Sequence, residues 1–429
     1  MDEISVRTIL NEQRMEIEDL KKQDLIVREF SGGRSSLLES PLAKVIFGIR
    51  RSGKSTLAHQ MLSDRTYAYV NFDDERLVGV KGEELGEIFN IAMEIAGKPD
   101  FALLDEIQNI PGWELFINRI QRKRINMLIT GSSANLLSTE LSTHLTGRYL
   151  PIMLLTFSFR EFLRAKRRSI PDEKKLVPSD ITNFKVLAED YLRGGGFPIS
   201  TLNPENRDLY LKTLYNDIIN KDVVGRFKPK HVRTLRELAL FLISSSSKMM
   251  TYSSLKTRFE MGSTNTAKNY VGYLADASLL MVVEKFTFRQ KERSTSPKKV
   301  YSMDTGFVEI LSSSPGDHIS DLLENAVFLE FVRRTEMEPT ISINYWRDYQ
   351  DHEVDFVISR NRTVEQLVQV SAISSRSDIR KRELRSLVKG AKSLDCDDLL
   401  LITWDLEGDI EENGSKIIMI PFWKWALYE

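Results

Sequence analysis

Lys54, Ser55, Asp105 and Glu106 are the side chains whose types and spacing suit phosphate chemistry. The first two close Gly48-Ile49-Arg50-Arg51-Ser52-Gly53-Lys54-Ser55, a complete G-x-x-x-x-G-K-[ST] pattern, with Thr56 directly after it. Glycines let such a stretch curl until successive N–H groups point at one anion, and a helix starting there adds its partial positive charge. Lys54 would then reach the β- and γ-phosphates of a nucleotide, and the Ser55 hydroxyl would ligate Mg²⁺. Asp105-Glu106 follows the apolar run Phe101-Ala102-Leu103-Leu104, in the Walker B pattern. Asp105 would hold Mg²⁺ through water, and Glu106 would polarise the attacking water as its base. Thr130, Ser132 and Ser133 end another apolar run, where a polar residue senses a γ-phosphate. Arg148, in Leu145-Thr146-Gly147-Arg148-Tyr149, would stabilise charge on the transferring phosphoryl group, in cis or from a neighbouring subunit. A solvated turn and an ordinary surface arginine are the plainer readings of those last two features.

These residues must be carried to one place by the elements around them. The phosphate loop follows Ala43-Lys44-Val45-Ile46-Phe47, which reads as a short buried strand, and leads into a helix over 56–62. Further strands are expected at 66–72, 101–104 and 125–129, with helices near 85–95 and 112–123 between them. Alternating strands and helices imply parallel βαβ units, whose sites gather at the carboxyl ends of the strands. Each motif falls at such an end. Residues 5–24 are expected to form a surface helix that leads into this α/β domain.

The phosphate loop, Asn71-Phe72-Asp73-Asp74-Glu75-Arg76, Leu103-Leu104-Asp105-Glu106-Ile107-Gln108, Ile129-Thr130-Gly131-Ser132-Ser133 and Gly147-Arg148 together resemble the AAA+-related archaeal ATPase family. Phe157-Ser158-Phe159-Arg160-Glu161-Phe162, Gly194-Gly195-Gly196-Phe197-Pro198 and Tyr215–Val223 match signatures farther along that family. The resemblance spans nearly the whole chain. It implies ATP as the nucleotide, Mg²⁺ as its metal, and a helical lid in the region after the first domain, with Asp217 and Asp222 structural.

From about residue 231 the pattern changes. Helices are expected at Leu235–Ile243, at Tyr252–Phe259 and from Gly262-Ser263-Thr264-Asn265 to about Leu279. Strands at 280–288 and 299–304 would follow, joined by a basic loop. Three helices and a basic hairpin suggest a winged helix whose third helix enters the major groove of double-stranded DNA. Thr264, Asn265, Thr266, Lys268 and Asn269 would face base edges, and the stretch holding Arg289, Lys291, Arg293, Lys298 and Lys299 would meet phosphates. A winged helix used for protein contact is the competing view.

The last segment reads as an amphipathic helix at 322–334, strands at 341–346, 353–358 and 364–370, a basic helix near 378–393 and a strand at 399–403. That order resembles the core of the PD-(D/E)xK nuclease family, with Asp355 in Glu353-Val354-Asp355-Phe356 as the metal-binding carboxylate. The family's Glu-x-Lys motif is replaced by Gln369-Val370-Ser371. A neutral amide weakens a hard-cation site, and serine supplies no positive charge, so cleavage is not expected. Glu324, Glu353 and Glu365 are candidates to compensate. Arg376, Arg380, Lys381, Arg382 and Arg385 suit a binding platform or an ordinary solvated helix face.

The expected domains are therefore 1–165 for the ATPase, 166–228 for the lid, 229–306 for the winged helix and 307–429 for the nuclease-like part. Among the 429 residues, 60 Lys and Arg nearly balance 61 Asp and Glu, which excludes a globally basic nucleic-acid binder though not a local patch. The single cysteine, Cys396, excludes an internal disulfide framework and fits a reducing cytoplasm. No apolar run is long enough to suggest a membrane span, and the start of the chain lacks the pattern of a signal peptide. The function expected is ATP binding and hydrolysis coupled to DNA contact. Its alternatives are a nucleotide-gated protein switch, as a homo-oligomer or with a protein partner, and an ATP-dependent nuclease.

Overall fold

The computed structural model describes residues 1–30, 34–131, 147–312, 318–336 and 338–429. Two compact units divide the chain, Met1–Leu155 and Thr156–Glu429.

In the first unit five strands form one parallel sheet: β1 (Ala43–Phe47), β2 (Tyr67–Asn71), β3 (Phe101–Asp105), β4 (Asn126–Gly131) and β5 (Tyr149–Met153), in the order β2-β3-β4-β1-β5. A parallel sheet is covered on both faces, so its central strands read as unbroken apolar runs. Successive residues supply opposite faces. Val45, Ala102, Leu104, Met127 and Ile129 join the core with Phe89 and Ile117, whereas Ile46, Leu103 and Leu128 pack with Leu57 and Met61. Leu103 is fully buried, and trimming it to alanine would cost about 2–5 kcal/mol.

The helix Glu3–Lys21 is capped by Asp2, which accepts from the Ser5 amide at 2.9 Å. It lies along edge strand β2. There the buried Gln13 side chain donates to Asn71 O and accepts from Asn71 N, both at 3.0 Å.

In the second unit Ser158 and Glu161 cap the helix Phe159–Ala165 reciprocally. Helices Pro178–Gly194 and Arg207–Asp217 follow, the latter running into a π-helical stretch, Ile218–Val224. Buried Asp304 ties this region to later chain, accepting from Gly196 N at 2.8 Å and from Gly306 N at 2.9 Å.

Helix Val232–Ser244, β6 (Met249–Met250), helices Tyr252–Arg258 and Thr264–Asp276, β7 (Leu280–Val283) and β8 (Lys298–Ser302) come next. Their antiparallel sheet has the order β6-β8-β7. The strands are shorter than the sequence suggests, and the β7–β8 connection contains a helix, Gln290–Thr295, rather than an open loop. Local pairing explains it: Glu292 accepts from Lys285 Nζ at 2.8 Å and from Thr287 Oγ1 at 3.1 Å, drawing the turn closed.

The helix Ile319–Thr335 precedes a six-stranded mixed sheet. Its strands are β9 (Ile341–Arg347), β10 (Glu353–Arg360), β11 (Thr363–Ser371), β12 (Leu399–Thr403), β13 (Gly408–Glu412) and β14 (Ser415–Pro421), ordered β13-β14-β12-β11-β10-β9. Asn361 and Arg362, at φ 49° and 72°, make the two-residue turn between β10 and β11. The crossover to parallel β12 is the helix Lys381–Leu394. β13, β14 and the final helix Phe422–Tyr428 lie beyond the elements read from sequence.

Candidate functional site

The phosphate loop spans the gap between β1 and the helix Lys54–Met61. Gly48 has φ 148°, and a Cβ there would sit 2.1 Å from the Leu154 carbonyl oxygen of the segment leaving β5. Only glycine fits so close a backbone crossing. Gly53, at φ 94°, turns the chain into the helix, so the amides of that first turn face the loop. Lys54 is 5% exposed, and its ammonium folds back on the Gly48 and Ile49 carbonyls, at 3.2 Å from each.

Arg28, which belongs to no motif, braces the loop from outside. Its guanidinium donates to Ser52 O at 2.5 Å and to Leu155 O at 2.8 Å, and its own amide donates to Gln60 Oε1 at 2.9 Å.

Asp105 ends β3 two strands away, yet Ser55 Oγ donates to its Oδ1 at 3.0 Å. Thr130, fully buried at the end of β4, also donates to Asp105 Oδ1 and accepts the Glu106 amide at 3.2 Å. Tyr69 Oη approaches Asp105 Oδ2 at 3.3 Å. His59 sits behind, its Nδ1 2.9 Å from Tyr67 Oη, and burial lowers its pKa to about 4, so it is neutral at pH 7. The polar residues expected at three separate strand ends therefore form one connected set.

Glu106 adopts a left-handed backbone, φ 52° and ψ 37°. Burial raises the pKa of its carboxyl, the Lys54 charge opposes the shift, and the Asp105 charge adds to it. Gln108 Nε2 donates to Glu106 Oε2, while Gln108 Oε1 is buried without a hydrogen-bond partner.

These residues fit a nucleoside triphosphate with Mg²⁺. The buried Ser52 Oγ lacks a partner inside the loop, the Lys54 ammonium lies against the loop carbonyls, and a hydroxyl and a carboxylate meet where a hard cation would take oxygen ligands. Gly48, Ile49, Arg50, Arg51, Ser52, Gly53, Lys54, Ser55 and Thr56 all lie on the loop or the first helical turn.

Arg148 is placed differently from its cis expectation. It immediately precedes β5, whose Tyr149 pairs with Ala43 at the start of β1, so it lies at the opposite edge of the sheet from the loop. A five-residue strand separates the two, roughly 15 Å. Arg148 Nη1 instead donates to Asn118 Oδ1 at 3.0 Å. Ser132 and Ser133 lie outside the described residues.

In the second unit Thr264, Asn265, Lys268 and Asn269 are exposed and Thr266 is half-buried on the helix Thr264–Asp276, with Ser263 as N-cap. Arg289, Lys291 and Arg293 are exposed, though Arg293 pairs with Glu284. Lys298 and Lys299 do not face solvent as a phosphate contact requires. Lys298 is buried against Glu284 at 3.1 Å, and Lys299 points to the other side of β8, into the carboxylates around Asp355.

Gln369 Nε2 donates to Asp355 Oδ2 at 2.6 Å, with the Val370 amide at 3.1 Å from the same oxygen. Ser371 is buried nearby. Glu324 and Glu353 share this centre, whereas Glu365 pairs with Arg360 at 2.8 Å on the rim. Arg376, Arg380, Lys381, Arg382 and Arg385 are exposed.

Family models cover most of the chain. Residues 40–163 match the family model described as AAA domain, and residues 186–317 and 320–423 match two domains of unknown function, DUF8612 and DUF4143. Uncharacterized protein MJ1544 of Methanocaldococcus jannaschii is 31% identical over 399 residues, covering 90% of this chain and 88% of that protein. An uncharacterized protein of Haemophilus influenzae is 29% identical over 311 residues, covering 69% of this chain and 76% of its own length. Among solved structures, the Walker-type ATPase PABY2304 of Pyrococcus abyssi aligns with a TM-score of 0.45 and 14% identity, covering 68% of this chain and 97% of that one. No described helix is long and apolar enough to cross a membrane. With a phosphate loop, a Walker B pair and a relative matched along nearly its full length, the chain belongs to the archaeal AAA+-like P-loop ATPase family that includes MJ1544.

Proposed function

We propose that this protein binds and hydrolyses ATP with Mg²⁺, and that its nucleotide state controls a DNA-contacting C-terminal half. The observation that carries the ATPase reading is the convergence of Lys54, Ser55, Asp105 and Glu106 at the carboxyl ends of β1 and β3.

On nucleotide binding Lys54 would exchange its carbonyl acceptors for β- and γ-phosphate oxygens, a charge-assisted and stronger contact. Ser55 and Asp105 would hold the metal, the latter through water. Bound Mg²⁺ would neutralise charge on the transferring phosphoryl group. Glu106 would orient the attacking water and accept its proton. Its raised pKa makes it a better base than an ordinary glutamate.

We read 229–306 as a winged helix. Its exposed Thr264, Asn265 and Lys268 would meet base edges, and Arg289, Lys291 and Arg293 would meet phosphates. The fold of 307–429 we read as PD-(D/E)xK-like and without cleavage, because Gln369 and Ser371 replace the acid and the lysine.

ATP turnover measured with and without duplex DNA, over a salt series, tests the proposal. DNA stimulation that falls steeply with salt is expected. Turnover indifferent to DNA would leave the second reading, a nucleotide-gated switch with a protein partner. That reading is favoured by the acid pairing of Lys285 and Arg293, which removes free positive charge from the wing.

A further inference from the structure

β8 carries a lysine into the carboxylates of the C-terminal sheet. Lys299 is 1% exposed, and its ammonium lies 2.9 Å from Glu324 Oε1, 2.7 Å from Glu353 Oε1 and 2.9 Å from Asp355 Oδ1. The ammonium donates hydrogen bonds to Glu324 and Asp355, and Glu353 adds a third close ion pair. The helix Ile319–Thr335 supplies the first acid and β10 the other two, so with β8 three elements meet at this ammonium.

The surrounding groups are arranged for a cation at that point. Tyr301 Oη donates to Glu324 Oε1 at 2.8 Å, the same oxygen that Lys299 contacts, and Gln369 Nε2 donates to Asp355 Oδ2, the oxygen that Lys299 leaves. Gln369 is 8% exposed and its Oε1 is buried with no hydrogen-bond partner, a spare hard-oxygen acceptor beside the carboxylates. Burial disfavours charge on Lys299, but Asp355, Glu324 and Glu353 outweigh it and hold its pKa well above an ordinary lysine's. As the side chains stand, with Lys299 among the acids, no group of three or more His, Cys, Asp or Glu among the described residues could hold a metal ion.

We propose that Lys299 is the resident cation of this centre: its ammonium stands where a divalent ion would otherwise sit, and keeps the carboxylates closed to metal. On the PD-(D/E)xK-like reading proposed above, the missing acid at position 369 and missing lysine at 371 then have a positive counterpart. A centre filled by a tethered cation keeps its packing without an ion and cannot assemble a metal-bound nucleophile. Nitrogen-to-oxygen spacings of 2.7–2.9 Å exceed those of an oxygen-bound calcium, about 2.3–2.6 Å, by only a few tenths of an ångström. Removing the charge should therefore uncover a cation site. The inference is independent of nucleotide binding in the first unit.

The test uses the full chain without nucleotide, with Ca²⁺ as the probe, followed by calorimetry and thermal unfolding. Lys299→Met, similar in length and uncharged, should bind one Ca²⁺ at least about tenfold more tightly than the unaltered protein. Adding Asp355→Asn should remove that gain. Lys299→Arg, which keeps a cation, should fold and stay indifferent to Ca²⁺. A Lys299→Met protein that folds only when Ca²⁺ is present would also support the proposal. It is overturned if Lys299→Met folds and ignores Ca²⁺, if it fails to fold even with Ca²⁺, or if the unaltered protein binds Ca²⁺ through Asp355.

Discussion

Ser55 and Asp105 stand fifty positions apart in the chain, and the hydroxyl of one rests 3.0 Å from the carboxylate of the other. The contact exists because β1 and β3 run parallel with β4 between them, so their carboxyl ends open on one crevice. Thr130, at the end of the intervening β4, closes the set by bonding both Asp105 and the Glu106 amide.

Lys54→Ala should lower ATP turnover by about 10²–10³, the usual effect of removing one preorganised charge donor. Its fold should persist, since Lys54 donates hydrogen bonds to two carbonyls of its own loop, which the Arg28 brace also holds. Phosphate release, read beside circular dichroism, checks both halves of this expectation.

Glu106→Gln should keep nucleotide binding and reduce turnover by about 10²–10⁴. The folded pKa of Glu106 is raised, so the basic carboxylate is populated only above the usual glutamate range. Turnover should accordingly climb with pH along an acid limb displaced upward. A limb at the ordinary carboxylate position would show that another group sets it.

Arg28 and Arg148 should part company. Arg28→Ala removes two bonds to loop and strand-end carbonyls, and should destabilise the protein by about 1–3 kcal/mol while weakening nucleotide binding. Arg148→Ala should leave turnover within about twofold in dilute solution, because the arginine lies at the far edge of the sheet. A large loss that grows with protein concentration would instead mark action across subunits.

Asp304 gives a pH signature. Burial raises its pKa to about 6, despite the two amides it accepts from. The folded state thus holds this proton more tightly than the unfolded chain. Its stabilising contribution is complete below about pH 4 and lost as pH rises through about 6. Urea unfolding at pH 4 and 7.5 should show Asp304→Asn gaining on the unaltered protein by about 2–3 kcal/mol between the two conditions. The pH-independent cost of the lost acceptor cancels in that comparison.

Replacing both Arg289 and Lys291 by alanine should weaken duplex DNA binding and reduce its logarithmic salt slope by about 1 per residue. Fluorescence anisotropy across a salt series reads both quantities.

What the sequence made legible was local. The phosphate loop and the acids ending β3 show in spacing and in flanking apolar runs, and the turn at Asn361-Arg362 shows in its residue types. Arg28 gives no such signal, because its role depends on where an irregular segment crosses the helix Lys54–Met61. Gly147-Arg148 resembles a catalytic element, but β5 starts there, and a strand's start faces away from a parallel sheet's site. Lys298-Lys299 reads as one basic patch. Strand alternation instead sends the two side chains to opposite faces of β8, each toward its own acids. β13 was invisible because Gly408-Asp409-Ile410-Glu411-Glu412 carries almost no apolar alternation, being held by pairing with β14.

The Gln13 amide imitates a neighbouring strand, since it both gives and takes a hydrogen bond at the Asn71 backbone. A side chain thereby plugs the rim of the first sheet, where bare peptide groups would invite another molecule to add itself. Clipping away the leading helix should then make the protein stick to its own kind through that rim, even with every nucleotide-facing residue still in place.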